Sequence, residues 1–540
     1  MTVIDAEATL VDDFAWRRPA PFARRAGIAL YSWQDPSWSF IWSIILAMPF
    51  IIAAFWAPAL LSLTPTIDII APIAEARAVK AGEASLADQG APLFLVLLMA
   101  GDIFADAPGR IHLLAKALGA TLVAYPLAYF VSTRLPLVQA SMLTAAITAS
   151  VAAPFAGSAE LALALFLVCA ICFISGSADK SPGRARGEGL AAGVALYALW
   201  LLNPVFALAG IAVLSACPFL STGGGLWRYA TTLFAFALFG GLAEYLAPGI
   251  NLARADAASG VLTLATDFAG SEGAIGVGGV AVSAIVVIAT AAIFGGREHV
   301  RGWLTASVLG LLAFACARLV GASAIPALIV AAAIACFSVA SPFYDGIFRN
   351  HDRASVSAAL SAGALTLFWT VAIVVHAGGQ FALQHRAATE AQEDIRTELA
   401  LVQPGGPTIA RWVEEGRFST PEARQLFALA PIDQSAMLLE AAARARPIAA
   451  KGHKVAILTG ADTACVIADD RDCLADGPTA ANAAKVVFVP RLDFDDRAAE
   501  AKGRSEALLI TEFRLAEKTA LWEIWIRRGQ GELADIFVAP

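Results

Sequence analysis

Charged residues are scarce in this sequence, where Asp, Glu, Lys and Arg make up 15% of 540 residues. The hydrophobic share is 58% and the mean hydropathy is +0.68, which is well above the values of an average soluble domain. The net charge of -7 is modest, and no dense cluster of Lys and Arg occurs anywhere in the chain. Nucleic-acid binding is therefore excluded. The composition predicts a polytopic membrane protein.

No cleavable signal peptide is visible in the sequence, and cysteine is scarce. The first 37 residues are long and polar and contain no short apolar run followed by an A-x-A site, so we expect the first apolar segment to remain as an anchor. Five of the 7 cysteines lie in apolar segments, and the other two, Cys465 and Cys473, lie in the polar tail. We predict that these two form a disulfide if the tail is in an oxidising compartment. Two unpaired residues are the alternative.

Long apolar segments, in contrast, are plentiful. A helix needs about 20 apolar residues to cross a bilayer, and we predict eleven such segments. They lie at residues 38–63, 112–133, 137–155, 159–176, 188–202, 204–219, 229–247, 276–294, 302–320, 323–341 and 355–377. The fifth and sixth are short and meet at Asn203-Pro204, so they form either one long span or, as we prefer, a pair.

The distribution of positive charge predicts the orientation of these segments. If the N-terminus is cytoplasmic, the inner segments carry thirteen Arg and Lys residues and the outer loops before His376 carry four. The four are Arg77, Lys80, Arg110 and Arg254. Because cytoplasmic loops are enriched in positive charge, we predict a cytoplasmic N-terminus and a tail on the outer face.

Two further regions are set apart by composition. Residues 69–83 and 92–104 read as two helices on the outer membrane surface, since the second is apolar but too short to cross. Residues 248–273 are rich in Ala, Gly and Asp and predict either a solvated loop or a flexible lid.

The tail combines helical patterns with short β-branched and aromatic runs. Helices are predicted at residues 390–402 and 421–446. Strands are predicted at KVAIL, CVIA, KVVFVP, ALLITEF and ALWEIWI. We therefore divide the chain into a cytoplasmic segment (1–37), a transmembrane domain with two interfacial helices at 69–104 (38–377), and a C-terminal soluble α/β domain (378–540).

Four short patterns follow one another in the N-terminal half of the chain. Ile73-Ala74 lie at a distance from Asp68 similar to that of I-A from D in a D-E-x-x-Y-x-x-I-A pattern, and Pro92-Leu93 matches part of P-P-L-x-x-W-L. Arg110 stands where R-L-P-S-A-L begins, and AGSAELALALF at 156–166 is similar to A-T-P-D-A-L-L-A-L-F, with Glu160 at its acidic position. These patterns resemble the GT-C glycosyltransferases, particularly the lipid A aminoarabinose transferases and protein O-mannosyltransferases.

The chain departs from that family at three places. Ile69 follows Asp68 where the family has a polar residue, and Gln89-Gly90-Ala91 replaces the Lys before the paired prolines. Asn203-Pro204 stands where family members often have Lys-Gly. If the donor carries a phosphate, other cations must replace the missing Lys.

The resemblance implies sugar transfer from a polyprenyl-phosphate donor at the outer face of a bacterial inner membrane. Asp68 would be the catalytic base, and membrane lipid and the lipid-phosphate sugar would be the partners. The predicted substrate-binding residues are Glu75, Arg77, Arg110, Lys116, Glu160 and Arg318. A divalent metal ion could supply positive charge instead, with Glu160 as its predicted ligand.

Two other functions remain open. The chain could be a non-catalytic scaffold that binds an envelope-assembly protein. It could also be a transporter, although no inverted repeat is visible in the sequence. We favour the transferase.

Overall fold

A computed structural model describes part of the chain at the level of secondary structure. The described residues are 36–60, 67–105, 108–133, 137–153, 158–174, 182–220, 226–267, 431–459, 461–467, 477–493, 496–519 and 521–529, with residues 312 and 375. Apart from residues 312 and 375, the predicted spans between 276 and 377 lie outside these residues, as do the predicted helix at 390–402 and Cys473.

The described N-terminal part is helical throughout. Its helices are α1 Pro36–Leu60, α2 Ile67–Ala81, α3 Pro92–Phe104, α4 Pro108–Val131, α5 Leu137–Ala152, α6 Ser158–Ile174, α7 Pro182–Leu202, α8 Pro204–Leu220, α9 Leu226–Leu246 and α10 Ile250–Asp267, with a 3₁₀ turn at Leu86–Asp88. Among the described residues, three segments are long and apolar enough to cross a membrane: Ser37–Phe55, Pro108–Val131 and Trp227–Leu246. The chain is therefore predominantly helical, with helices suited to a bilayer.

The chain divides into two compact units. The first contains residues 1–53 and 117–379, and the second contains residues 54–116 and 380–540. Helices α2 and α3 and the start of α4 thus belong to the same unit as the C-terminal domain.

In the first unit, α7 and α9 pack closely through glycine. A Cβ atom on Gly193 would lie 2.5 Å from the carbonyl oxygen of Thr232, and one on Gly189 would lie 2.4 Å from that of Arg228. Small residues at this spacing allow two helix backbones to approach, as they do in membrane helix pairs. The predicted break between α7 and α8 is confirmed, because the Asn203 side chain accepts a hydrogen bond from the Val205 amide at 3.0 Å.

The prediction of a loop at 248–273 is wrong, since α10 occupies most of it. The Glu244 carboxylate accepts hydrogen bonds from the backbone amides of Gly249 at 2.6 Å and Asn251 at 3.2 Å. These bonds satisfy amide groups before and in the first turn of α10, where the helix itself provides no acceptor. A cap supplied by the preceding helix was not visible in the local sequence.

The second unit contains a small mixed sheet. The helices and strands of the C-terminal domain are α11 Pro431–Ala450, β1 Val455–Thr459, β2 Ala461–Asp462, α12 Ala464–Ile467, α13 Gly477–Ala483, β3 Val486–Pro490, α14 Asp496–Glu512, β4 Phe513–Lys518 and β5 Trp522–Arg527. The strand order is β2-β1-β3-β5-β4, with β1 and β3 parallel and the other pairs antiparallel. Val487, Phe513 and Leu509 lie in its apolar core. The predicted C-terminal sheet is thus present.

Two predicted strands are helices instead. CVIA falls on α12, and most of ALLITEF forms the end of α14. In α14 the buried residues are Ala498, Ala501, Ser505 and Leu509, which follow the helical rather than the strand period. The strand prediction rested on the composition of these short runs alone. In α14 the helical period of buried residues begins before Ala507, and this longer pattern indicates a helix.

Candidate functional site

Helix α2 carries Asp68, the predicted base, in its first turn. The side chain of Asp68 lies outside the described residues, but the helix defines where position 68 lies. The helix ends in a Schellman-type turn, in which the Glu83 amide donates to the Ala78 carbonyl at 3.0 Å. Gly82 has φ +80°, a conformation that glycine adopts at little cost.

The two faces of α2 differ in burial. Successive helical residues are about 100° apart, so position 75 lies near position 68 and position 77 lies about 180° away. The face of position 68 also contains Ala71, Glu75 and Val79, which are all partly exposed. The opposite face contains the buried residues Ile70, Ile73 and Ala74. Position 68 therefore lies on the face that the rest of the unit leaves partly open.

Arg77, on the buried side, forms an ion-pair cluster with Lys80 and Asp102. Arg77 donates from Nε at 3.0 Å and from Nη2 at 2.9 Å to Asp102 Oδ1, and Lys80 Nζ donates to Asp102 Oδ2 at 2.9 Å. The Asp102 side chain is 12% exposed, against 24% for Arg77 and 53% for Lys80. This Asp102 cluster joins α2 to α3.

The cluster determines the charge of Asp102. Burial raises the pKa of its carboxyl, but the hydrogen bonds and charges of Lys80 and Arg77 outweigh that effect, and the pKa lies below its ordinary value. Asp102 is therefore ionised at neutral pH.

Helix α3 lies against α4 because of a glycine. A Cβ atom at Gly101 would lie 2.7 Å from the carbonyl oxygen of Ile111, so a larger residue would separate the helices. The close approach brings Phe94 of α3 to two buried residues of α4. The Phe94 ring makes an edge contact with His112, with ring centroids 6.3 Å apart, and its centroid is 5.7 Å from Lys116 Nζ.

His112 and Lys116 are 5% and 2% exposed and lie one turn apart on one face of α4. A cation over an aromatic ring is stabilised by the ring's quadrupole. The structure thus places a histidine and a lysine together within the first turns of a helix that is apolar enough to cross a membrane.

The remaining predicted site residues are more dispersed. Arg110 is exposed, and position 110 lies about 160° around α4 from position 112. Glu160 is partly buried in the first turn of α6, in the other unit. Arg318 lies outside the described residues. A shared cavity of Asp68, Glu160 and a cation stays a prediction.

The divalent metal ion with Glu160 as its ligand stays a prediction. Within the described residues no three His, Cys, Asp or Glu side chains come together. Glu160 alone does not fit the several oxygen ligands that Mg²⁺ or Ca²⁺ requires.

Cys465 lies in α12 of the C-terminal domain and is disulfide-bonded. Its predicted partner, Cys473, is not among the described residues, so the pairing stays a prediction. Cys169 and Cys172, in α6, are buried thiols that are not joined in a disulfide.

Sequence reasoning missed a second ionic group, which we call the Glu188 cluster: Glu188, Arg184 and Arg228. Glu188 is fully buried. Its carboxylate lies 3.3 Å from Arg184 Nε and 3.1 Å from Arg228 Nη2, and Thr133 donates to it at 3.4 Å. A signal was present, because Glu188 follows Arg184 by four residues at the start of an apolar segment.

The Glu188 cluster ties together the ends of four helices. Arg228, at the start of α9, donates to the carbonyl of Cys172 in the last turn of α6 at 3.1 Å. Arg184, at the start of α7, donates to the carbonyl of Tyr129 near the end of α4 and stacks on that ring at 3.6 Å. Terminal carbonyl groups lack helical partners and attract cations. We interpret this cluster as structural.

The comparisons with known proteins add no relative: no family model matches the chain, and no curated protein or solved structure shows significant similarity to it.

Proposed function

We propose that the chain is an inverting glycosyltransferase of the GT-C type, acting at the outer face of a bacterial inner membrane. It would move a sugar from a polyprenyl-phosphate donor to a lipid, glycan or protein acceptor. In this proposal about eleven helices cross the membrane, the N-terminus is cytoplasmic and the α/β domain is periplasmic. The apolar helices and the bias of positive charge toward one set of loops support it.

The observation that carries the proposal is Lys116. A buried lysine within a candidate membrane span is costly and usually serves a function, and its ammonium group is suited to a phosphate oxygen. Lys116 is 2% exposed and lies in the same compact unit as α2, which carries Asp68. A phosphate-binding cation and a carboxylate are the two groups that transfer from a lipid phosphate requires.

Helix α3 supports the location at a membrane surface. Val96, Ile103 and Phe104 are 41%, 70% and 79% exposed, and they lie on one face of α3, seven to eight residues apart. The helix ends four residues before α4, which is a candidate span. At about 20 Å, α3 is too short to cross a bilayer core of about 30 Å, but its apolar face suits the lipid boundary.

The reaction needs a base and an electrostatic partner. The acceptor oxygen forms a bond to the anomeric carbon as the bond from that carbon to the phosphate oxygen breaks. The acceptor proton passes to the Asp68 carboxylate, and polyprenyl phosphate departs with both electrons of the broken bond. Lys116 stabilises the charge that develops on the phosphate.

The other proposed contacts follow from position. Glu75 lies near position 68 on the same face of α2 and would orient the acceptor. Arg110, exposed at the start of α4, would meet the donor phosphate from the aqueous side. Glu160 and Arg318 remain proposed substrate contacts.

The test uses membranes that contain the full-length protein and a panel of radiolabelled polyprenyl-phosphate sugars. The measured quantity is sugar released from the lipid. Asp68→Asn keeps the shape of the side chain and removes its basicity, so we expect a loss of about 100-fold or more in rate. Lys116→Gln is expected to lose about 10- to 100-fold.

Glu83→Gln is the matched control, because Glu83 is an exposed carboxylate in the turn that follows α2. Its rate should equal that of the wild type. Wild-type activity in Asp68→Asn would remove Asp68 as the base.

A non-catalytic scaffold that binds a partner in envelope-glycan assembly is the second candidate. It is favoured by the Asp102 cluster, in which Arg77 and Lys80 are already paired with a carboxylate. Absence of sugar release by the wild-type protein from every donor in the panel would support this alternative.

A further inference from the structure

The C-terminal domain contacts α2 at a particular edge of its sheet. Strands β1 and β3 are parallel, and ligands of open α/β sheets commonly bind beyond the carboxyl ends of such strands. Here β2 and α12 follow the carboxyl end of β1, and α2 packs against both. On the β1 side, the usual ligand edge of this domain is therefore covered by a helix of its own unit.

Arg77 is the polar link in this contact. Besides its two hydrogen bonds to Asp102, it donates from Nη1 to the backbone carbonyl of Cys465 in α12 at 3.5 Å. One guanidinium group thus joins three elements: α2, α3 and α12. A planar group with several donors in fixed directions can hold such a bridge, whereas a lysine offers a single charged centre.

Arg77 and Asp68 lie on opposite sides of α2. Arg77 lies about 180° around the helix from position 68, so the bridge holds the buried side of α2 while the other side stays partly open.

We propose that the C-terminal α/β domain is a positioning domain for α2, and that Arg77 is the positioning residue that couples the two. This inference rests on the proposed function only in naming Asp68 as the group that is positioned. The domain would then hold the helix that carries the base, and its sheet would not bind a ligand at the β1 edge.

Hydrogen exchange on the full-length protein in detergent micelles tests the coupling. In Arg77→Ala we expect amide exchange to rise about tenfold both in residues 67–81 and in residues 464–467, since one charge-assisted bridge is lost. Lys80→Ala is the matched control. Lys80 shares the Asp102 pair from the same helix but is 53% exposed, and residues 464–467 should keep their wild-type exchange in that variant.

Two further variants keep the test decisive if Arg77→Ala does not fold. Arg77→Lys keeps a positive charge for Asp102 and should raise exchange in residues 464–467 without affecting α3. Asp102→Asn should raise exchange in α3 and leave residues 464–467 close to the wild type.

Unchanged exchange of residues 464–467 in the Arg77 variants would overturn the proposal. An equal rise in the Arg77 and Lys80 variants would also overturn it, because it would indicate general loosening of α2. These outcomes do not depend on transfer activity. If Asp68→Asn keeps full activity while the coupling is observed, the proposed function fails and the positioning role stands.

A kinetic readout separates positioning from substrate binding. Where transfer is measured, Arg77→Ala should lower kcat and leave KM within about twofold, since Arg77 does not face the open side of α2. A rise in KM with unchanged kcat would instead identify Arg77 as a substrate contact.

Discussion

The Asp102 cluster and the Glu188 cluster have the same composition, one carboxylate between two cations, but differ in their surroundings. Asp102 is 12% exposed and one of its partners is 53% exposed. Glu188 is fully buried, and its partners Arg184 and Arg228 are 16% and 5% exposed. The same three charges therefore have different energetic roles.

Burial explains the difference. Removing one member of a buried ion pair leaves an uncompensated charge in a medium that solvates it poorly. A cluster with an exposed member is partly screened by water and contributes less. The Glu188 cluster should therefore contribute strongly to the stability of the four helices whose ends it joins. The Asp102 cluster, beside the helix that carries Asp68, should contribute less.

The largest effect is expected from Glu188→Gln. This variant leaves Arg184 and Arg228 without their carboxylate, so the free energy of unfolding should fall by about 3–5 kcal/mol. Denaturant titration in mixed micelles measures it. Asp256→Asn, an exposed carboxylate of α10 in the same unit, should change it by less than about 0.5 kcal/mol. Equal effects of the two variants would contradict the stabilising role of the Glu188 cluster.

A smaller effect is expected where α7 meets α9. In Gly193→Ala the new methyl group would lie 2.6 Å from the Ala235 Cβ, so overpacking should cost about 1–3 kcal/mol. Gly241→Ala in α9 has nothing within 4 Å and should stabilise by up to about 1 kcal/mol through helix propensity. The two melting temperatures should shift in opposite directions. A shift in the same direction would show that backbone approach does not limit this interface.

The smallest effect is expected for Asp102→Asn, at about 1–2 kcal/mol at neutral pH. The pKa of Asp102 is lower in the folded state than in the unfolded chain. Its contribution is therefore present above the unfolded pKa and is lost as pH falls through the folded pKa. The difference in unfolding free energy between wild type and variant should shrink below about pH 4. A constant difference across that range would show that the charge of Asp102 is not involved.

Much of the helical part could be predicted from sequence because apolar segments are local signals. The break at Asn203-Pro204 is of this kind, since proline begins a helix readily and interrupts one poorly. Helix α10 could not be predicted in the same way, because its capping group, Glu244, belongs to the preceding helix.

The site was predictable only in part. The sequence indicated Lys116 because a charge in an apolar segment is conspicuous. Arg77 was predicted as a substrate contact because it lies close to Asp68 along the chain. Helical geometry places these two positions on opposite sides of α2, and the partners of Arg77, Asp102 and Cys465, are 25 and 388 residues away. Such partners depend on tertiary packing and leave no local pattern.

The membrane topology is the claim on which the whole account depends, and thiol labelling tests it directly. Two exposed positions are suitable, Glu83 beside α2 and Gly183 at the start of α7, where nothing lies within 4 Å of the added Cβ. We predict that a membrane-impermeant maleimide labels Glu83→Cys in intact spheroplasts and labels Gly183→Cys only after permeabilisation. Labelling of both positions from the same side, or the reverse pattern, would contradict the predicted orientation, in which α2 lies on the outer side and the start of α7 on the cytoplasmic side.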